Sequence, residues 1–103
     1  MDYKKIENEQ LMDLVFDSSV NHGKQRTIRW IQIILNIKSD GILGPITLQN
    51  INKNTEFVYY ELVKIRIKFY TELSNKNPGK YQKFLSGWIN RICEFVKGYE
   101  NDN

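Results

Sequence analysis

Ile31-Gln32-Ile33-Ile34-Leu35-Asn36-Ile37-Lys38-Ser39-Asp40-Gly41-Ile42-Leu43-Gly44-Pro45-Ile46-Thr47 is the stretch on which the fold turns. Its start has helical spacing, with Ile31 and Leu35 one turn apart. Asp40-Gly41 predicts a tight turn, where the carboxylate accepts backbone N–H groups and glycine takes positive φ. Gly44 is expected to let the chain pass close to a neighbour, and Pro45, with its fixed φ, to open a helix. Thr47 is placed to bond back into the loop, with Ile42 and Leu43 plugging it from beneath. The expectation is a rigid Asp-Gly-x-x-Gly-Pro loop held between two helices, with no catalytic group in it.

Outward from this loop, every periodic segment predicts a helix. Upstream, about Asn8 to Val20 places Leu11, Leu14, Val15 and Ser18 on one stripe and Met12, Phe16 and Val20 on the next. A helix apolar on two sides is expected to be central. Asn21-His22-Gly23 stops it, since Gly23 can adopt the left-handed conformation that closes a helix. Lys24 to Leu35 follows, with Ile28, Trp30, Ile31, Ile33, Ile34 and Leu35 predicting a mostly buried helix. Downstream, Pro45 to about Ile51 is a short helix. Thr55 is a good N-cap for another from Glu56 to Leu73. There Tyr59, Leu62, Val63, Phe69, Tyr70 and Leu73 share a face with Arg66. Asn75 to Gly79 reads as a break, and a last helix near Phe84 to Lys97 carries Leu85, Trp88, Ile89, Ile92, Phe95 and Val96. No alternation of period two is long enough for a sheet. The class is all-α, a compact bundle of about five helices.

A chain of 103 residues suits one domain, and 41% hydrophobic with 13% aromatic residues supports a packed core. No window approaches the roughly 20 apolar residues of a membrane span. A single Cys93 and a single His22 argue against an internal disulfide, a Cys-based zinc site or a histidine metal cluster. No metal and no cofactor is expected. The amino terminus has no apolar run after Lys4-Lys5 and so does not read as a secretory signal. Charge is uneven along the chain. Residues 1–21 hold two Lys against five Asp/Glu (−3), and residues 22–53 hold five Lys/Arg against Asp40 alone (+4). Residues 54–103 hold eight Lys/Arg against six Asp/Glu (+2). A basic middle suits a polyanion such as teichoic acid, nucleic acid or anionic lipid, or it is a solvated Lys-rich surface.

The motif Ile31-Gln32-x-x-Leu35-x-x-x-x-Asp40-Gly41-x-x-Gly44-Pro45-x-Thr47 resembles the core of peptidoglycan-binding domains, with Ile31 where Leu is usual. Upstream lies Phe16-Asp17-x-x-Val20-Asn21-x-Gly23. Downstream come Arg66-x-x-Phe69-Tyr70 and Phe84-x-x-Gly87-Trp88-x-Asn90-Arg91. In this order the motifs are similar to the carboxy-terminal region of the muramidases of glycoside hydrolase family 108, a family that includes phage endolysins and was once labelled secretion activators. The resemblance runs from about Tyr3 to Val96. It implies a lysozyme-like, peptidoglycan-binding fold. It also implies a division into 1–21, the terminal helix of a truncated lysozyme-like segment; 22–97, the peptidoglycan-binding domain; and 98–103, a frayed tail. Members of that family carry a Glu-Gly-Gly-Tyr segment with the expected general acid, and this chain has no Glu-Gly pair.

Glycosidic cleavage normally needs a protonated carboxyl beside the leaving oxygen. Asp13 and Asp17, one helical turn apart, read as an acidic face, with Asp17 bonding a helix end or an Arg. No catalytic residue is therefore expected in this chain. For ligand binding the candidates are Asn21, Trp30, Tyr59 and Tyr60. The rings would stack on sugars, and Asn21 would bond an N-acetyl group or else cap its helix. His22 is expected to be exposed. The structural set is Asp17, Asp40, Gly41, Gly44, Pro45, Thr47, Arg66 and Trp88. Arg66, on an apolar face, calls for a partner such as Asp17 or helix carbonyls. Trp88 reads as core, with carbohydrate stacking the alternative.

The expected function is peptidoglycan binding, through glycan or peptide, as part of a muramidase or endolysin. The expected site of action is the cell wall or periplasm, reached from the cytoplasm by release or as part of a larger protein. One alternative is a muramidase fragment whose active site a catalytic chain completes. Another is a small basic nucleic-acid-binding protein, supported by charge alone, since no recognition helix or stacking platform is present.

Overall fold

In the computed structural model, which describes residues 3–102, every regular element is helical. A single 3-10 turn at Tyr3–Lys5 precedes α1 (Glu9–His22), α2 (Lys24–Ile34), α3 (Pro45–Lys53), α4 (Thr55–Lys76) and α5 (Pro78–Asp102). The chain divides into two units, Met1–Leu62 and Val63–Asn103, with the boundary inside α4.

In the first unit, Asn8 caps α1 by accepting the Leu11 N–H at 2.8 Å, one of the donors a helix start leaves without an internal partner. Leu11, Leu14, Val15 and Ser18 are buried, as are Asp17 and His22. The second apolar stripe is not: Phe16 and Val20 are 56% and 69% exposed. Thus α1 is one-faced, against the expectation of a central helix. It packs on α2, where the Ser18 and Thr27 hydroxyls lie 2.8 Å apart out of solvent, while Phe16 meets Tyr3 in a T-shaped pair, centroids 5.9 Å apart.

The turn between these helices is one residue long. Gly23, at φ +95°, donates its N–H to Ser19 O and accepts the Thr27 N–H at 3.1 Å. The second helix buries Thr27, Ile28, Ile31 and Gln32, but Ile33 is 63% exposed and Ile34 half-buried. It too is less buried than its composition suggested. Its end is a reciprocal carbonyl cap: Asn36 takes φ +55° and donates to Ile33 O, and Ile37 donates to Gln32 O at 3.0 Å.

Pro45 opens α3 as expected, with Gly44 as its N-cap. Asn52 on α3 accepts the Glu7 N–H at 2.9 Å and donates to Lys5 O at 3.1 Å, which fastens the amino-terminal segment to this helix. The cap of α4 falls one residue earlier than expected. Asn54 O accepts the Val58 N–H at 2.9 Å, and Thr55 is already helical, its hydroxyl 3.5 Å from Asn52 O.

The second unit holds the rest of α4 and all of α5. The expected break at Asn75 to Gly79 shrinks to Asn77, whose carbonyl accepts the Lys80 and Tyr81 N–H groups at 3.0 Å. Pro78 then opens α5 by the same logic as Pro45, six residues ahead of the expected Phe84. At the other end α5 continues through Gly98 to Asp102, and Tyr99 is only 6% exposed, where a frayed tail was expected. Asn103 lies outside the described residues. Within the unit Tyr70 stacks on Trp88, with centroids 4.6 Å apart and planes 21° from parallel. Tyr81 and Phe84 approach the same indole at 6.1 and 5.9 Å. Trp88 is therefore the centre of an aromatic cluster, half-buried rather than fully enclosed.

Candidate functional site

The loop after α2 is organised by Gln32, a side chain with 1% of its surface exposed. Its amide oxygen accepts the Gly41 N–H at 2.9 Å. Its amide nitrogen lies 2.8 Å from Asp40 Oδ1, 3.1 Å from Ile42 O and 3.1 Å from Thr47 Oγ1. Two N–H groups thus serve three acceptors, and one side chain binds the loop at both ends. Asp40 closes the turn by accepting the Ile42 N–H at 2.9 Å. That bond, then the one from Gln32, favours the charged carboxylate and holds Asp40 below its ordinary value. Thr47 is joined to the loop through Gln32 on α2.

Two expectations for the loop fail. Ile42 is 64% exposed and plugs nothing; Leu43 is only half-buried. A Cβ on Gly44 would meet nothing within 4 Å, so no close approach requires glycine there. Gly41 is the position that does. It is buried, at φ +77°, and a Cβ on it would lie 3.2 Å from Arg29 Nε.

Arg29 leads from the loop to a surface groove of about 660 Å³. The residues from His22 to Arg26 line one part of it, and Arg29, Trp30 and Ile33 the other. A second recess of about 350 Å³, lined by Lys24, Gln25, Gly41, Ile42 and Leu43, shares Lys24 and Gln25 with the first. Lys24, Arg26 and Arg29 are all exposed, and the first turn of α2 holds no acidic residue. The indole of Trp30 is half-buried, its ring 5.1 Å from that of His22. His22 is 9% exposed, not the exposed residue expected, because Trp30 from the next helix lies against it. Neither recess has a carboxylate in its lining. Chemically, the groove offers cations for an anion and a ring face for an apolar surface.

Of the residues anticipated for binding, Trp30 lies in this groove. Asn21 sits at the adjoining end of α1, exposed, with its amide donating to Asp17 O at 2.8 Å one turn back in the same helix, while the helix end is capped by Gly23. Tyr59 and Tyr60 form an edge-on pair at 5.7 Å and line neither recess. Tyr59 has no exposed surface and so no ring face open to a sugar, whereas Tyr60 is half-buried. Asp13 is exposed and Asp17 buried, so they are not a matched pair of acids on one open face. Arg66 has no exposed surface at all. Lys24, Gln25, Arg29 and Ile33 were not singled out by motif, although the +4 charge of residues 22–53 marks their region. Gln32 stands in the motif, but its bonds reach up to 15 residues away and no local pattern shows them.

Among the described residues, no group of three or more His, Cys, Asp or Glu could hold a metal ion, and no helix is long and apolar enough to cross a membrane. The α2 groove is cationic, has no carboxylate in its lining and has one aromatic wall. Residues 26–93 match the family described as predicted peptidoglycan domain, and the chain belongs to that family. Its partner class is peptidoglycan. The matched span takes in Arg29, Trp30, Gln32, the Asp40–Thr47 loop and Trp88, and leaves α1, Lys24 and Gln25 outside. No curated protein matches the chain.

Proposed function

We propose that this chain is the wall-binding part of a muramidase or endolysin of the glycoside hydrolase family 108 kind, with the catalytic acid supplied elsewhere. The observation that carries this is the family match over residues 26–93, which takes in the Phe84-to-Arg91 motif and follows the Phe16-Asp17 motif, beside a groove whose lining holds no carboxylate. Residues 22–97 form the binding domain, and residues 1–21 represent the end of a lysozyme-like segment. The ligand meets the groove of α2, with Trp30 as its aromatic wall and Asn21 at its edge. Co-sedimentation with purified cell walls tests this: retention on walls with no loss of turbidity is expected. A protein that stays in the supernatant at low salt overturns it.

A second reading has one observation in its favour. The helix assigned to the lysozyme-like segment, α1, packs directly on α2, with the buried Ser18–Thr27 bond between them. Catalytic and binding parts would then share a helix pair, and the chain would be a fragment of an active site that a second chain completes. Lysis restored by adding a Glu-Gly-Gly-Tyr segment in trans would support it, and an inactive mixture would rule it out.

A further inference from the structure

We propose that the groove of α2 recognises the carboxylates of the peptide stems of peptidoglycan, and that the Asp40–Thr47 loop is the buttress that sets Arg29 for this task. The inference rests on peptidoglycan binding by the chain and adds to it the chemical group and the residues.

Three observations converge. First, the lining is one-signed: Lys24, Arg26 and Arg29 line the larger recess, Lys24 lines the smaller one as well, and no Asp or Glu lines either. Glycan strands whose lactyl carboxyls are amide-linked to stems present hydroxyls and N-acetyl groups, which do not call for a cluster of cations. Stem peptides carry free carboxylates, and an Arg fork matches a carboxylate with two parallel hydrogen bonds. Second, Trp30 and Ile33 give the same groove an apolar side. A ligand that joins a charged end to an apolar or sugar face fits this better than a uniformly charged strand does. Third, the loop is built against Arg29. Ser39 Oγ donates to Arg29 O at 3.4 Å, and Gly41 leaves room where a Cβ would lie 3.2 Å from Arg29 Nε and 3.5 Å from its Cγ. Gln32 fixes Gly41 in that place through the Gly41 N–H. The motif that marks the sequence therefore holds no ligand group itself; it positions one.

The test compares retention on three wall preparations: intact walls, walls stripped of phosphate polymers by hydrofluoric acid, and glycan strands freed of stems by an amidase. The full chain should bind the first two equally and the third at least about tenfold more weakly. Loss of binding on phosphate-stripped walls would overturn the assignment in favour of a wall phosphodiester. Equal binding to stem-free glycan, on which the amidase leaves the lactyl carboxylates of the sugars free, would overturn the assignment to the stems. Failure on all three preparations would sink wall binding itself, which is a different result.

The variant Lys24→Gln with Arg29→Gln, both at exposed positions, should keep its helical signal. It should bind intact walls about tenfold more weakly, with a shallower salt dependence. Wild-type retention and salt slope in this double variant would overturn the groove. Gly41→Ala should weaken binding by displacing Arg29. If it folds and binds as the wild type does, the buttress fails.

Discussion

The two units hold their parts together by opposite means. In the first, a polar side chain, Gln32, reaches four partners between Asp40 and Thr47 with directional bonds. In the second, Trp88 gathers Tyr70, Tyr81 and Phe84 by ring contact, which depends on area and less on angle. A buried hydrogen-bond hub has a single point of failure, because each lost bond strands a desolvated partner. An aromatic cluster at a half-open surface shares its contacts and loses them by degrees. The fragile construction lies beside the α2 groove, and the tolerant one surrounds Trp88.

The sharpest way to break this contrast is Gln32→Leu. Leucine fills similar space but leaves the buried Gly41 N–H and the Thr47 hydroxyl without their partner. Destabilisation of about 3 kcal/mol is expected from stranding these groups. Chemical denaturation measures it, and the variant should also lose wall retention as Arg29 comes loose. A loss under about 1 kcal/mol would mean that water replaces the amide and the hub is not one.

Trp88→Ala is the matching cut in the other unit. Full burial would predict about 3–5 kcal/mol, and a half-exposed ring scales this to about 2 kcal/mol. Stability should fall while wall retention, measured well below the unfolding temperature, stays within about twofold. Parallel loss of retention would place ligand contacts on the second unit and erase the functional side of the comparison.

The same division explains what could be read from the sequence. Local stereochemistry was legible. Gly23 stops α1, Asp40-Gly41 turns with Asp as acceptor and Gly41 at positive φ, and Pro45 opens α3. Pro78 carried the same signal as Pro45, but the surrounding Asn75–Gly79 composition outweighed it. Coverage of a helix face was not legible, because it depends on what the rest of the chain lays there. Phe16, Val20, Ile33 and Ile42 look like core and are exposed, while His22 looks exposed and is covered by Trp30. For the site, Trp30 was marked by an excess of apolar residues, and the groove cations only as a regional charge. Gln32 could be quoted but not interpreted, since its partners assemble only when the loop folds back over α2.

A smaller effect is expected from Gly41→Ala. The left-handed conformation costs a residue with a Cβ about 1–2 kcal/mol, and the crowding of Arg29 adds to it. Gly44→Ala is the control. At φ −97° with open space around its Cβ, it should change the melting temperature little. Equal effects at the two glycines would remove the distinction between a turn glycine and an ordinary one.

The smallest effect is electrostatic and belongs to the first unit alone. Asp40 is fully exposed, yet the Ile42 N–H and the Gln32 amide both donate to its carboxylate, and its folded value lies below the ordinary 3.8. A group whose value is lowered by folding adds stability that is fully present above the unfolded value. That stability fades as the pH falls from 3.8 through the folded value. Asp40→Asn lacks the titration. Its melting temperature should lie below that of the wild type at neutral pH, and the gap should close as both are acidified past 3.8. Trp88→Ala, which alters no charge, should keep a constant gap over the same range. A constant gap for Asp40→Asn as well would mean that the two donors bind the neutral carboxyl as well as the charged one, and that the loop is held by Gln32 without help from charge.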